Sequence, residues 1–159
     1  MELGRIRELL RMTSVRAFDV NVIVSASDVV VGTLDGEEIR NAIAGKAVRD
    51  ISIEDIIRVR DEVYCLGPTS FCRLFPLFVD AIVGDYAQPD TLVTEVIARL
   101  RPSGGTSAEW FYKLTETLSA HQRHVVALFI LFVATSYQEE DAALLLVEYW
   151  AKWLCGDEC

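Results

Sequence analysis

Cys65 and Cys72 stand on either side of Gly67-Pro68 in the stretch CLGPTSFC. A tetrahedral metal site draws on four ligands, or on three and a water, and its cysteines come in pairs two to four residues apart. That pairing is missing here, so the two residues read as thiols beside a turn. His121 and His124, the only histidines, are spaced i, i+3 and share one helix face. Cys155 and Cys159 would complete a four-ligand set, but the glutamate of an HExxH motif is absent. Standing in a helix first turn, where the dipole disfavours positive charge, the histidines read as solvent-facing or rim residues. No metal and no cofactor is expected. A nucleophile also lacks its setting: there is no G-x-S-x-G turn and no local signature pairing a Cys with a His. Ser103-Gly104-Gly105 has no strand before it and no Lys-Ser/Thr after it, so it reads as a plain loop and not as a phosphate cradle. No catalytic residue is nominated.

Carboxylates cluster at Glu37-Glu38, Glu54-Asp55, Asp61-Glu62, Glu139-Glu140-Asp141 and Asp157-Glu158. Most fall in helix first turns, where unpaired N–H groups and the dipole account for them without acid–base work. The aromatics of Trp110-Phe111-Tyr112 and Tyr149-Trp150, with Trp153, admit two readings. Large rings complete a core, or they anchor a partner. The candidate partner-binding set is therefore Trp110, Tyr149, Trp150 and Trp153 together with Glu139, Glu140 and Asp141.

The elements that must position these residues are helical. Leu3, Ile6, Leu9 and Leu10 recur at helical spacing over residues 2–12. Residues 19–33 alternate valine with small or polar residues and predict a small β-hairpin or an extended arm. GEEIRNAIAGK predicts a short helix with Ile39 and Ile43 inward and Gly45 at its stop. Ser52 caps a further helix carrying Ile53, Ile56, Ile57, Arg60 and Tyr64 on one face, and Gly67-Pro68 ends it. Thr69 or Ser70 then caps a helix with Phe71, Leu74, Phe75, Phe78, Val79 and Ile82 on one face, bent at Pro76. A helix beginning near Pro89-Asp90 carries Leu92, Val93, Val96, Ile97 and Leu100. Residues 108–118 read as one or two turns. Ser119 with Gln122 forms a capping box, opening a helix that is apolar nearly all round from Val125 to Val133 and so belongs at the centre. A last helix runs from Glu139 toward Cys155. The sum is a mainly α, single-domain helical bundle of about six to seven helices over residues 1–159.

The stretch DISIEDIIRVRDEVYCLGPTSFCRLFPLFVDAIV, with the later LSAHQR before an apolar helix, resembles a family of small uncharacterised bacterial helical domains, a domain of unknown function. The likeness covers Asp50 to Ala134 and consists of packing and capping motifs. Phe75 stands where that family's pattern has leucine before the proline, and the valine-rich N-terminal segment has no counterpart in it. The resemblance implies an all-α core and no particular chemistry.

A net charge of −9 sets the long-range field against direct binding to nucleic acid, whose phosphates need a basic footprint. No apolar run approaches the roughly 18 to 20 residues that span a bilayer, and the charged N-terminus carries no features of a secretory signal. The expectation is a cytoplasmic protein with reduced thiols and no membrane partner. Two functional readings follow. The first is a non-catalytic interaction module binding a basic protein partner, with an immunity or antitoxin-type protein as one concrete version. The alternative is a small enzyme whose site assembles between helices around His121, His124, Glu148 and Tyr149. Self-association as a homodimer through the last helix is a further expectation.

Overall fold

The computed structural model describes residues 3–29, 36–84, 90–102 and 106–155. The fold class is the expected one: helices build the molecule, and among the described residues there is no β-strand, only isolated antiparallel bridges at Ile23–Ala47 and Val29–Leu66. No helix of the described residues is long and apolar enough to cross a membrane.

The chain forms α1 (Leu3–Ala17), α2 (Glu37–Ile43), α3 (Ile53–Arg58), α4 (Pro68–Val83), α5 (Asp90–Arg99), α6 (Thr106–Thr117), α7 (Ala120–Ser136) and α8 (Glu140–Leu145). A π turn (Leu146–Trp150) and a 3-10 turn (Ala151–Trp153) continue α8. One hydrophobic core runs through all of these elements. At its centre lie α4 and α7 together. Phe71, Leu74, Phe75, Phe78, Val79 and Ile82 of α4 are all buried, and Phe75 meets Phe129 of α7 edge to face at 5.3 Å. Val125 to Val133 is central as expected, except that Leu131 reaches the surface.

Several local expectations are corrected. The helix from Ser52 does not run through to Cys65. It ends at Arg58, and a 3-10 turn (Arg60–Cys65) follows. Tightening from 3.6 to 3.0 residues per turn rotates the later side chains, so Val59 and Val63 are buried while Tyr64 is exposed. Gly67, not Thr69 or Ser70, is the N-cap of α4, with Pro68 in the first helical position, where its missing N–H costs nothing. Residues 106–117 make a twelve-residue helix, longer than one or two turns. On α1 only Leu10 of the expected apolar face is buried; Leu3 and Leu9 are exposed.

As far as Val29 the valine-rich segment is an arm and not a hairpin, with a 3-10 turn at Ala26–Asp28; residues 30–33 lie outside the described residues. It pairs with 45–49 instead of with itself: the Val24 N–H donates to the Lys46 carbonyl (3.0 Å), Gly45 N–H to Val24 (2.9 Å) and Val48 N–H to Val22 (3.1 Å). Gly45 makes the return possible at φ +76°, a conformation only glycine adopts cheaply. Farther along, Asp28 fastens the arm to the start of α4, accepting from the Gly67 N–H (3.0 Å) and pairing with Arg73 (2.9 Å).

Candidate protein-interaction surface

The four aromatics nominated from the sequence are mostly structural. Trp150 is sealed in the core and donates its Nε1–H to the Leu100 carbonyl (2.9 Å), so it offers a partner nothing. Trp110 is half-buried, edge-on to Phe71 at 5.3 Å, and donates to the Leu66 carbonyl (3.0 Å). Arg99 lies over its ring at 5.4 Å, and partial burial holds that guanidinium below its ordinary pKa. Tyr149 packs edge-on against Phe111 at 4.9 Å, and the Lys152 ammonium lies 4.4 Å from the centre of its ring. Trp153 is half-buried beside Arg123, whose guanidinium lies 4.8 Å from the ring.

The acidic residues fare differently. Glu139 is the N-cap of α8 and Glu140 and Asp141 occupy its first turn, where the dipole favours them. Asp141 bonds Arg101 at 2.8 Å. Glu140 and, farther along, Glu148 are exposed, with no ion pair among the described residues. Between these two carboxylates the sequence reads Leu144-Leu145-Leu146-Val147. A helix turns successive side chains by about 100°, so four consecutive apolar residues cannot all face inward. Leu145 and Leu146 are buried; Leu144 and Val147 are 55% and 78% exposed. The outer face of α8 and its π turn is thus an apolar ridge bordered by unpaired carboxylates. Sequence reasoning passed over Leu144 and Val147, although the run of four apolar residues was the signal.

A second surface follows α1, which lies across α4 and α7 with a groove on each side. On the α4 side a cavity of about 470 Å³ is lined by Met12, Val15, Val48, Pro76 and Leu77. Arg11 also lines it, hydrogen-bonded through Nε to Asp80. Arg16 and Arg49 are exposed at this groove. Arg16 makes no ion pair among the described residues, and Arg49 donates to Asn21 Oδ1 at 2.5 Å with an open ion pair to Asp50 at 3.8 Å. On the α7 side a cavity of about 380 Å³ is lined by Leu3, Ile6, Leu9, Leu128, Leu131 and Phe132, with no charged side chain.

Neither groove includes His121, His124, Glu148 or Tyr149. His121 is exposed, and His124 places Nδ1 2.7 Å from the Trp153 carbonyl oxygen, tying α7 to the chain's last turn. Cys65 and Cys72 are both buried, and burial pushes the Cys72 thiol up to about 11 despite the neighbouring Arg73. Cys155 is an exposed free thiol. Among the described residues no three His, Cys, Asp or Glu side chains gather as metal ligands. Ser103 to Gly105, Asp157, Glu158 and Cys159 lie outside the described residues.

No protein family, no curated protein and no solved structure matches this chain.

Proposed function

We propose that this protein is a non-catalytic interaction module whose docking surface is the outer face of α8. The observation that carries the reading is Val147, 78% exposed beside exposed Leu144 and between the unpaired carboxylates of Glu140 and Glu148. An exposed valine alone is ordinary. Two large apolar residues one turn apart, framed by like charges, match the pattern of a helix that lays its ridge into a groove. The fitting partner is a protein that presents an apolar groove edged by basic side chains, because carboxylates at the rim favour such a groove and reject one edged by acidic side chains. An immunity or antitoxin-type inhibitor of a basic protein is one form this takes. The net charge of −9 favours the same class of partner at long range. A cytoplasmic setting agrees with Cys155 standing exposed as a thiol.

The test is capture from the native host with wild-type protein and with a Leu144→Asp/Val147→Asp variant whose far-UV circular dichroism is unchanged. A stoichiometric basic protein should be retained by the wild type and lost, by about tenfold or more, by the variant. Equal retention by both would move the docking surface elsewhere. Turnover of a small molecule with no protein captured would overturn the reading.

A further inference from the structure

We infer that the groove between α1 and α4 receives the outer face of α8 from a second copy of this chain. The inference rests on the reading that the α8 face is a docking surface, and names its occupant. What that face requires is an apolar groove with cationic side chains at its edge, and the same molecule carries one. Met12, Val15, Val48, Pro76 and Leu77 supply an apolar lining, and Arg16 and Arg49 stand exposed at it.

Charge decides for this pairing. In an acidic protein the first sixteen residues hold four arginines against two glutamates, and residues 39–49, which include Arg49, hold three basic residues and no acidic one, so both segments at the groove are locally basic. Glu8 and Asp80 also line the groove, and both are turned to Arg11, which hydrogen-bonds Asp80 and pairs with Glu8 at 3.5 Å. Arg16 has no ion pair among the described residues; Arg49 donates to the neutral Asn21 Oδ1 at 2.5 Å and meets a carboxylate only in the open contact to Asp50 at 3.8 Å, so its charge is little offset. Glu140 and Glu148 of α8 are the matching carboxylates, exposed and unpaired among the described residues. Leu144 and Val147 are one turn apart and point outward with no apolar neighbour to cover them. The second groove, between α1 and α7, lacks charge and would leave the carboxylates of the ridge unmatched.

Each copy therefore holds both halves of one contact, a ridge to give and a groove to fill. Such a contact joins unlike surfaces, so assembly proceeds head to tail. It also makes two different half-defective variants complementary. A ridge variant, Leu144→Asp/Val147→Asp, keeps its groove. A groove variant, Arg16→Glu/Arg49→Glu, keeps its ridge.

Sedimentation velocity at physiological ionic strength, from about 10 μM to about 1 mM, should show wild-type mass rising with concentration to the dimer and beyond. Each variant alone should remain a monomer over the same range, with native far-UV circular dichroism. An equimolar mixture of the two should form a one-to-one heterodimer that grows no further. Should Arg49→Glu disturb the fold through its contacts, Arg16→Glu alone serves, with self-association weakened by about tenfold. A wild-type protein that stays monomeric at the highest concentration overturns the inference. So does a folded mixture that stays monomeric, or a variant that associates as well as the wild type. If the wild type is monomeric yet captures a basic host protein through Val147, the second copy is excluded and the docking role of α8 stands. If it self-associates as described but captures nothing from the host, the second copy is the partner and the basic host protein is excluded.

Discussion

Gly67 sits in ordinary extended backbone at φ −69°, so its role is one of space and not of conformational freedom. A Cβ added there would lie 2.9 Å from the Asp28 carbonyl oxygen, a backbone atom that cannot swing aside. The same oxygen accepts the Gly67 N–H, so the arm has to come this close. Gly67→Ala should therefore cost about 1–3 kcal/mol in urea denaturation, and an unchanged midpoint would show that the arm yields freely. Cys72 invites a second measurement. Its folded pKa is raised from 9.0 to about 11 by burial. A raised value means that the folded state holds the proton more tightly than the unfolded one. The associated stability is fully present below pH 9 and is lost as the pH climbs toward 11. Wild-type protein should lose on the order of 2 kcal/mol more than Cys72→Ala across that window. Thiol labelling at neutral pH should modify Cys155 at once and reach Cys65 and Cys72 only on unfolding. Early labelling of Cys72 would contradict its burial.

At the scale of elements, termini chemistry was the most legible part of the sequence. Ser119 and Gln122 form the expected capping box: the Ser119 hydroxyl accepts from the Gln122 N–H at 3.2 Å, and the Gln122 side chain accepts from the Ser119 N–H at 2.9 Å. Gln122 also donates to the Ala17 carbonyl at 3.1 Å, closing the end of α1 onto the start of α7. Ser119→Ala should cost about 1 kcal/mol. Gln122→Ala should cost more, because it also frees the end of α1; equal losses in denaturant titration would deny that link. Ser52 likewise caps α3 as its sequence indicates, accepting from Asp55 N–H at 3.0 Å. What periodicity did not reveal was a change of period. The switch to 3-10 geometry after Arg58 and to a π turn at Leu146 each rotate the following side chains. That rotation exposes Tyr64 where an unbroken helix would place it on the inner face. The outward face of α8 was hidden for a related reason: hydrophobicity marks a residue for burial, and only packing shows which of four adjacent leucines and valines the core has room for. The α1 grooves were further from reach, since Arg16, Arg49 and Pro76 are distant in sequence and meet only through the fold.

For the whole molecule, the aromatic cluster is the test of whether the elements act as one unit. Phe75 contacts Phe18 at the end of α1, Phe71 one turn earlier and Phe129 of α7, at ring separations of 5.3, 6.3 and 5.3 Å. Phe71 passes the chain of contacts on to Phe78 and to Trp110 of α6. Removing the ring of Phe75 takes out buried surface that α1, α4 and α7 share, and helices in tertiary contact cannot refill such a void without moving together. Phe75→Ala should cost about 3–5 kcal/mol, a large part of the stability of an ordinary domain. Because Trp110, Trp150 and Trp153 report on α6 and the chain's last turns while far-UV circular dichroism reports on every helix, the two signals examine different parts of one core. In a single cooperative unit both transitions move to lower denaturant by the same amount and stay superimposed. If tryptophan fluorescence in Phe75→Ala held its wild-type midpoint while the helical signal fell early, α6 and the last turns would form a separately stable part. The ridge on α8 would then be carried by a unit independent of the groove on α1.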